Sequence, residues 1–149
     1  MHQTFTKALG CCIILVLCTC SGTRPSNLGV HDGKLAPCPE SPNCVSTFAT
    51  DKTHAAKPLS YSGTMDQAKQ KLITVINSLP RTRIISDKTD YLNVECTSFL
   101  WRFVDDVEFV LDDSAKTIQF RSASRLGKGD MGVNRKRMET IRAKFDSAK

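Results

Sequence analysis

The chain has 149 residues, 40% of them hydrophobic and 24% charged, which is one ordinary globular domain and excludes a wholly disordered chain. Its formal net charge of +6 admits an anionic partner. With only 7% aromatics there is too little for a base-stacking surface, so no nucleic-acid partner is expected.

The chain opens with an address. Lys7 is the only Lys, Arg, Asp or Glu before Arg24, and an apolar run follows from Ala8 to Leu17. That run is too short to span a bilayer, which takes ~20 apolar residues, and fits the apolar region of a secretory signal. Leu17-Cys18-Thr19-Cys20 has the lipobox layout of a branched apolar residue, two small residues and a cysteine. Residues 1–19 are therefore expected to be a lipoprotein signal peptide, with Cys20 the lipidated first residue of the mature chain. Two acyl chains, at ~0.8 kcal/mol per buried CH₂, anchor stably where one does not. Ser21 rather than Asp after the cysteine resembles outer-membrane sorting. The expected location is the periplasmic side of a bacterial membrane, the outer membrane favoured, with the membrane itself the first partner.

Ser21 to Ala36 is rich in Ser, Gly, Asn and Pro without apolar period, and residues 20–36 read as a lipidated N-terminus and flexible linker. Residues 37–149 then form a single domain. It begins with Pro37-Cys38-Pro39-Glu40-Ser41-Pro42-Asn43-Cys44, where three prolines hold the chain extended or turned. In an oxidising compartment Cys38 and Cys44 are expected to form a disulfide. A thiolate–imidazole metal set with His31 or His54 is the competing reading, but the spacing matches no standard zinc module, so neither metal nor cofactor is expected. Cys96 is left as a small core residue.

Regular patterns start at a short strand candidate, Pro58–Tyr61. Thr64 with Gln67 makes a capping box; Met65, Ala68, Leu72, Val75, Ile76 and Leu79 share one helical face, and Pro80 ends the helix. Strands are predicted over Thr82–Ser86, Tyr91–Ser98, Phe103–Asp112 and Thr117–Ser124, joined by Asp-rich turns. A last helix is predicted from about Arg135 to Asp146, with Asn134 as N-cap and Val133 and Met138 as a hydrophobic staple. The fold class is thus α+β: a four-stranded antiparallel meander, flanked in sequence by two helices that pack on one face as a two-layer sandwich.

Alternation turns Leu92, Val94, Cys96, Val107, Phe109, Leu111, Ile118 and Phe120 to the core. If Leu111 pairs with Ile118, then Glu108 faces Arg121, and Asp106 approaches Arg125 diagonally. Glu95, Asp106 and Glu108 then lie on an outer face expected to be solvated and laced with ion pairs; a binding surface is the alternative.

Three runs carry a family resemblance: LAPCPESPNCVS, RFVDDVEFVLDD and IQFRSASRLGKGDMGVNRKRMETIR. From Leu35 to the end the chain resembles the domain-of-unknown-function family numbered 1499, which includes exported bacterial proteins, often lipoproteins, and plastid relatives. The resemblance implies no assigned activity. It singles out Cys38, Cys44, Glu95, Asp105, Asp106, Glu108, Arg121, Ser122, Ser124, Arg125, Gly127, Asp130, Gly132, Asn134, Arg135 and Arg137. Lys128 departs from the pattern, which commonly has an aromatic there.

Gly127-Lys128-Gly129-Asp130-Met131-Gly132 follows a strand and leads into a helix, but no parallel strand or ribose-binding acid follows, which excludes a dinucleotide site. What survives is an anion nest expected at a helix N-terminus, on which Arg121, Arg125, Arg135 and Arg137 would converge, with Ser122, Ser124, Gly127, Asp130 and Asn134 around it. A small anionic ligand or an envelope protein is the expected partner. The alternative is an internal salt-bridge network in a structural module. Asp105 is read as a structural carboxylate at the sheet end. No base is positioned beside Ser122 or Ser124, so the reading leans to a binding or accessory module over an enzyme.

Overall fold

The computed structural model describes residues 21–148; the expected signal peptide, residues 1–19, and Cys20 lie outside them. The elements are β1 (Val30–His31), β2 (Lys34–Leu35), β3 (Cys44–Ser46), β4 (Leu59–Ser60), α1 (Met65–Asn77), β5 (Thr82–Asp87), β6 (Tyr91–Thr97), β7 (Val104–Asp112), β8 (Thr117–Ser124) and α2 (Val133–Ser147). β1 and β2 form a separate two-stranded hairpin. The other six strands make one antiparallel sheet, in the order β3-β8-β7-β6-β5, with β4 also pairing β8.

The fold is α+β, but the sheet has six strands where four are expected. β3 pairs the C-terminal half of β8 (Val45 opposite Ser122) and β4 its beginning (Leu59 opposite Ile118). β4 falls within the strand candidate Pro58–Tyr61, whereas β3, three residues long, is too short for alternation to reveal it. Their effect is to cover the ladder groups that β8 would otherwise leave open as an edge.

Alternation places the core as expected. Leu111 faces Ile118, Phe109 faces Phe120 and Glu108 faces Arg121. The inner side chains of β6, β7 and β8 join Leu72, Val75 and Ile76 of α1 and Met138, Ile141 and Phe145 of α2 in one buried cluster. Phe109, Phe120 and Phe145 are fully buried, each stabilising the fold by roughly 1.5–3 kcal/mol relative to exposure. Cys96 is buried in the same cluster, where burial pushes its thiol up to about 11 and keeps it protonated at neutral pH.

α1 starts as its sequence predicts: Thr64 Oγ1 accepts from the Gln67 amide, and Gln67 Oε1 accepts from the Thr64 amide. α2 starts differently. It begins at Val133, behind Gly132 in the left-handed region (φ +77°), and Asn134 is not its cap. Asp130 takes that role, accepting from the amides of Gly132 (2.9 Å) and Asn134 (2.8 Å). Asn134 is thereby inside the helix, its side chain turned into the molecule. Val133 is half exposed, so the expected staple with Met138 is missing one arm.

The outer face of the sheet departs most from expectation. Asn93 and Glu108 are 0% exposed and Asp106 1%, so this is a buried polar layer and not a solvated face. The cover is the stretch expected as a free spacer. Arg24 Nη2 donates to Asn93 Oδ1 at 2.6 Å, the Gly29 amide donates to Glu108 Oε1 at 2.7 Å, and Leu35 packs with Tyr91 and Val110. Polar composition without period is as compatible with a chain that satisfies a polar surface as with a flexible linker.

Cys38 and Cys44 form the expected disulfide, with Cα atoms 5.7 Å apart. Among the described residues, no helix is long and apolar enough to cross a membrane.

Candidate functional site

The charged residues of the outer face fall into rows set by register. Asp106 stands opposite Glu95 on one side, and Glu108 stands between Asn93 and Arg121. Arg125, just beyond β8, reaches back along the sheet. Its Nε and Nη2 donate to the two oxygens of Asp106 at 2.8 Å each, and Nη2 also donates to Glu95 Oε1 at 2.5 Å. Arg83 Nη2 holds the other Glu95 oxygen at 2.9 Å. Burial opposes ionisation of Glu95, but the hydrogen bonds from Arg83 and Arg125 outweigh it and hold its carboxyl below the usual range. Hydrogen bonding to Asp106, working against burial, likewise strengthens the hold of Arg125 on its proton.

Glu108 is tied by Tyr91, whose hydroxyl donates to Oε1 at 2.8 Å. Burial first, and then the Glu108 charge, keep that hydroxyl protonated far above its ordinary pKa. The second oxygen of Glu108 lies 3.5 Å from Arg121 Nη1. That oxygen, with Nε and Nη1 of Arg121, is buried and makes no hydrogen bond among the described residues.

The inner face ends in a second polar cluster. Arg137 Nη2 donates to Asp105 Oδ2 at 2.5 Å, while its Nη1 donates to Asn134 Oδ1 (2.7 Å) and Ser122 Oγ (3.1 Å). Ser122 Oγ donates to the same Asn134 oxygen at 2.5 Å. The Asn134 amide nitrogen faces Asp130 Oδ2 (2.8 Å), Ser124 Oγ (3.0 Å) and the Asn43 carbonyl (3.0 Å). Asn43 Nδ2 in turn donates to the Gly127 carbonyl at 2.7 Å. Through Asn43 and Asn134 the disulfide loop and the Gly-rich motif, some 90 residues apart in sequence, become one structural unit.

The four arginines expected to converge on the Gly-rich loop therefore do not meet. Arg121 and Arg125 lie on the outer face of the sheet and Arg137 on the inner face. Arg135 donates to the carbonyls of Thr53 (2.8 Å) and Ala55 (3.1 Å). The helix N-terminus does attract an anion, as its dipole dictates, and that anion is the chain's own Asp130 carboxylate. Of the expected residues the structure gathers Ser122, Ser124, Gly127, Asp130, Asn134 and Arg137, and adds Asp105. No three His, Cys, Asp or Glu side chains among the described residues are grouped as a metal site. His54 lies between Asp51 Oδ1 (2.9 Å) and the Ser41 carbonyl (3.1 Å), and its ring makes no hydrogen bond to Ser122 or Ser124.

This unit opens to solvent at one end of the sheet, where the loop from β6 to β7 faces the Gly-rich loop. Between them lies a cleft of about 190 Å³ lined by Ser98, Phe103, Asp105, Ser124, Leu126, Gly127, Gly129, Asp130 and Val133. A larger depression of about 480 Å³ beside α1 and the end of α2 contains none of the motif residues. Around the cleft stand apolar side chains that the sequence reading passed over. Phe99 is 77% exposed, Leu100 71%, Trp101 65% and Met131 wholly so, with Phe103, Leu126 and Val133 half exposed. The available signal was Phe99-Leu100-Trp101, three consecutive large apolar residues in a hairpin connection where polar turn residues are the rule.

A six-stranded α+β domain with a buried polar face and a disulfide-braced C-terminal motif is thus defined. The model of a family described as a protein of unknown function, DUF1499, matches residues 34–145, and the chain belongs to that family. No curated protein matches the chain.

Proposed function

We propose that this chain is an exported lipoprotein, anchored through Cys20 on the periplasmic side of a bacterial envelope membrane, and that its domain is an accessory module working by contact and not by catalysis. The Arg/Gly-rich motif serves in this reading as internal scaffold. Arg125 holds Asp106 and Glu95, Arg137 holds Asp105, and Asp130 fills the helix N-terminus. The observation that carries the reading is this division: the charged motif residues point inward to partners, while the large apolar residues at the same end of the sheet point outward. Large apolar side chains exposed together on neighbouring loops mark interaction sites.

One observation favours a second reading, a small-anion site. Among the described residues, two nitrogens of the buried Arg121 guanidinium donate no hydrogen bond, an arrangement an anion would complete. Titration calorimetry of the full chain with inorganic phosphate and with citrate, at millimolar concentration, separates the two. The contact-module reading expects no saturable heat. Saturable binding that disappears in Arg121→Ala would contradict it and establish the anion site.

A further inference from the structure

The chain enters the described structure beside the exposed apolar patch. A side chain added at Gly22 would come within 2.9 Å of Leu126 Cγ, so Gly22 lies directly against the Gly-rich loop. From there residues 24–35 run across the outer face of the sheet, fixed by Arg24 on Asn93, Gly29 on Glu108 and Leu35 against Tyr91. Cys20 is two residues before Gly22, and two residues of fully extended chain span at most about 7 Å. An acyl group on Cys20 would therefore be tethered within about 7 Å of Gly22, with no long spacer between the anchor and the surface around Leu126.

The surface at that point has the composition of a membrane-interface contact. Phe99, Leu100, Trp101 and Met131 project from two adjacent loops, and exposed Arg81, Arg102 and Lys128 are interspersed with them. The Arg81 guanidinium lies 5.5 Å from the centre of the Phe99 ring, so a cation already caps one aromatic of the patch. Aromatic rings with one polar edge settle at the boundary of headgroups and acyl chains, and Arg and Lys beside them reach anionic headgroups while their stems stay in apolar surroundings. Acylation and an inserted apolar loop reinforce one another, because the anchor holds the loop at the membrane at high effective concentration.

We propose that this end of the sheet docks on the lipid bilayer itself: Leu100 and Trp101 enter the headgroup–acyl boundary, Arg102 and Lys128 meet lipid phosphates, and the domain sits on the membrane without a flexible stalk. The proposal rests on the lipoprotein reading above and names the partner of its exposed surface. It places the mouth of the Asp105–Asp130 cleft at the level of the lipid headgroups.

Trp101 is the only tryptophan of the chain and reports directly on this. The full chain, purified from membranes, is reconstituted into vesicles of phosphatidylethanolamine and phosphatidylglycerol. The expected result is a blue-shifted Trp101 emission that brominated acyl chains quench and aqueous iodide does not. Leu100→Asp should abolish the bromine quenching and leave the thermal midpoint unchanged, because that side chain is exposed. A water-like emission open to iodide in a chain whose Cys20 is acylated would overturn the docking and leave the tether standing. Shielding of Trp101 in isolated envelopes but not on vesicles would overturn it in favour of a protein partner. An unacylated Cys20 would remove the tether alone, and bromine quenching on the same vesicles would still decide the docking.

Discussion

Arg125→Ala is expected to lower the thermal midpoint of the domain by roughly 10–20 °C, the consequence of about 3–5 kcal/mol lost when one partner of a buried ion cluster is removed. Asp106 is 1% exposed, and both of its carboxylate oxygens accept from Arg125. Without the guanidinium a carboxylate would stay buried with no cation beside it, and Glu95 would keep only Arg83. Arg125→Lys should recover a small part of the loss, since a single ammonium cannot serve three oxygens in the plane that the guanidinium fork occupies. The same cluster sets a pH dependence. The Glu95 carboxyl is held below its ordinary value of 4.5, so its contribution is present above that pH and disappears as pH falls through the lowered folded value. Denaturant midpoints measured at pH 7 and at successively lower pH should fall less steeply for Arg125→Ala than for the natural chain. An equal fall would mean that Arg125 does not hold Glu95 in solution.

Glu108→Ala is expected to cost a similar amount, about 3–5 kcal/mol, by a different route. Glu108 is 0% exposed and compensates Arg121, which is itself buried. It also accepts from Tyr91 and from the Gly29 amide, so its loss frees the segment laid over the sheet. The variant should therefore show two effects that a simple core truncation would not combine: a lower midpoint, and fast hydrogen exchange at the Gly29 amide under native conditions. Glu108→Gln keeps an acceptor for Tyr91 and Gly29 but not the charge opposite Arg121. It should restore protection at Gly29 more fully than stability. Unchanged exchange at Gly29 in Glu108→Ala would mean that the segment is held by other contacts.

The parts of the fold that repeat were legible in the sequence. Apolar side chains at every second position, Leu92, Val94 and Cys96 in β6, Val107, Phe109 and Leu111 in β7, and Ile118 and Phe120 in β8, fixed which side chains face the helices, and pairing Leu111 with Ile118 fixed the neighbours down to Glu108 opposite Arg121. The capping box of Thr64 and Gln67 fixed the start of α1. What had no period could not be read. β3 is too short to alternate, β4 was visible as the strand candidate Pro58–Tyr61 but not its pairing with β8, and the segment before them follows polar contacts that only the finished sheet supplies. That segment explains the largest departure: Glu95, Asp106 and Glu108 look solvent-facing as long as β6 and β7 are considered without it.

The Gly-rich motif shows why residue type alone misplaces a site. Four arginines within seventeen residues suggest one cation cluster, but β8 ends at Ser124 and α2 begins at Val133, and the side chains of these elements diverge to both faces of the sheet. Asp130, one of the expected ligand-binding residues, supplies the anion that the helix N-terminus attracts. Alternation correctly separated Asp105 from Asp106. It could not show that Arg137 would meet Asp105, because that contact joins the end of β7 to the first turns of α2. The exposed Phe99-Leu100-Trp101 run was visible in the sequence as an anomaly of composition. Its meaning depends on Gly22 lying against Leu126, a proximity of residues more than 100 positions apart.

The proposed anchor hangs on the chemistry of Cys20. Mass spectrometry of the mature N-terminal peptide, released from the membrane fraction of cells producing the full chain, reads that chemistry in one step. The account predicts a peptide that begins at Cys20 and carries the added mass of a diacylglyceryl group. A peptide that begins at any other residue, or an unmodified Cys20, would contradict it.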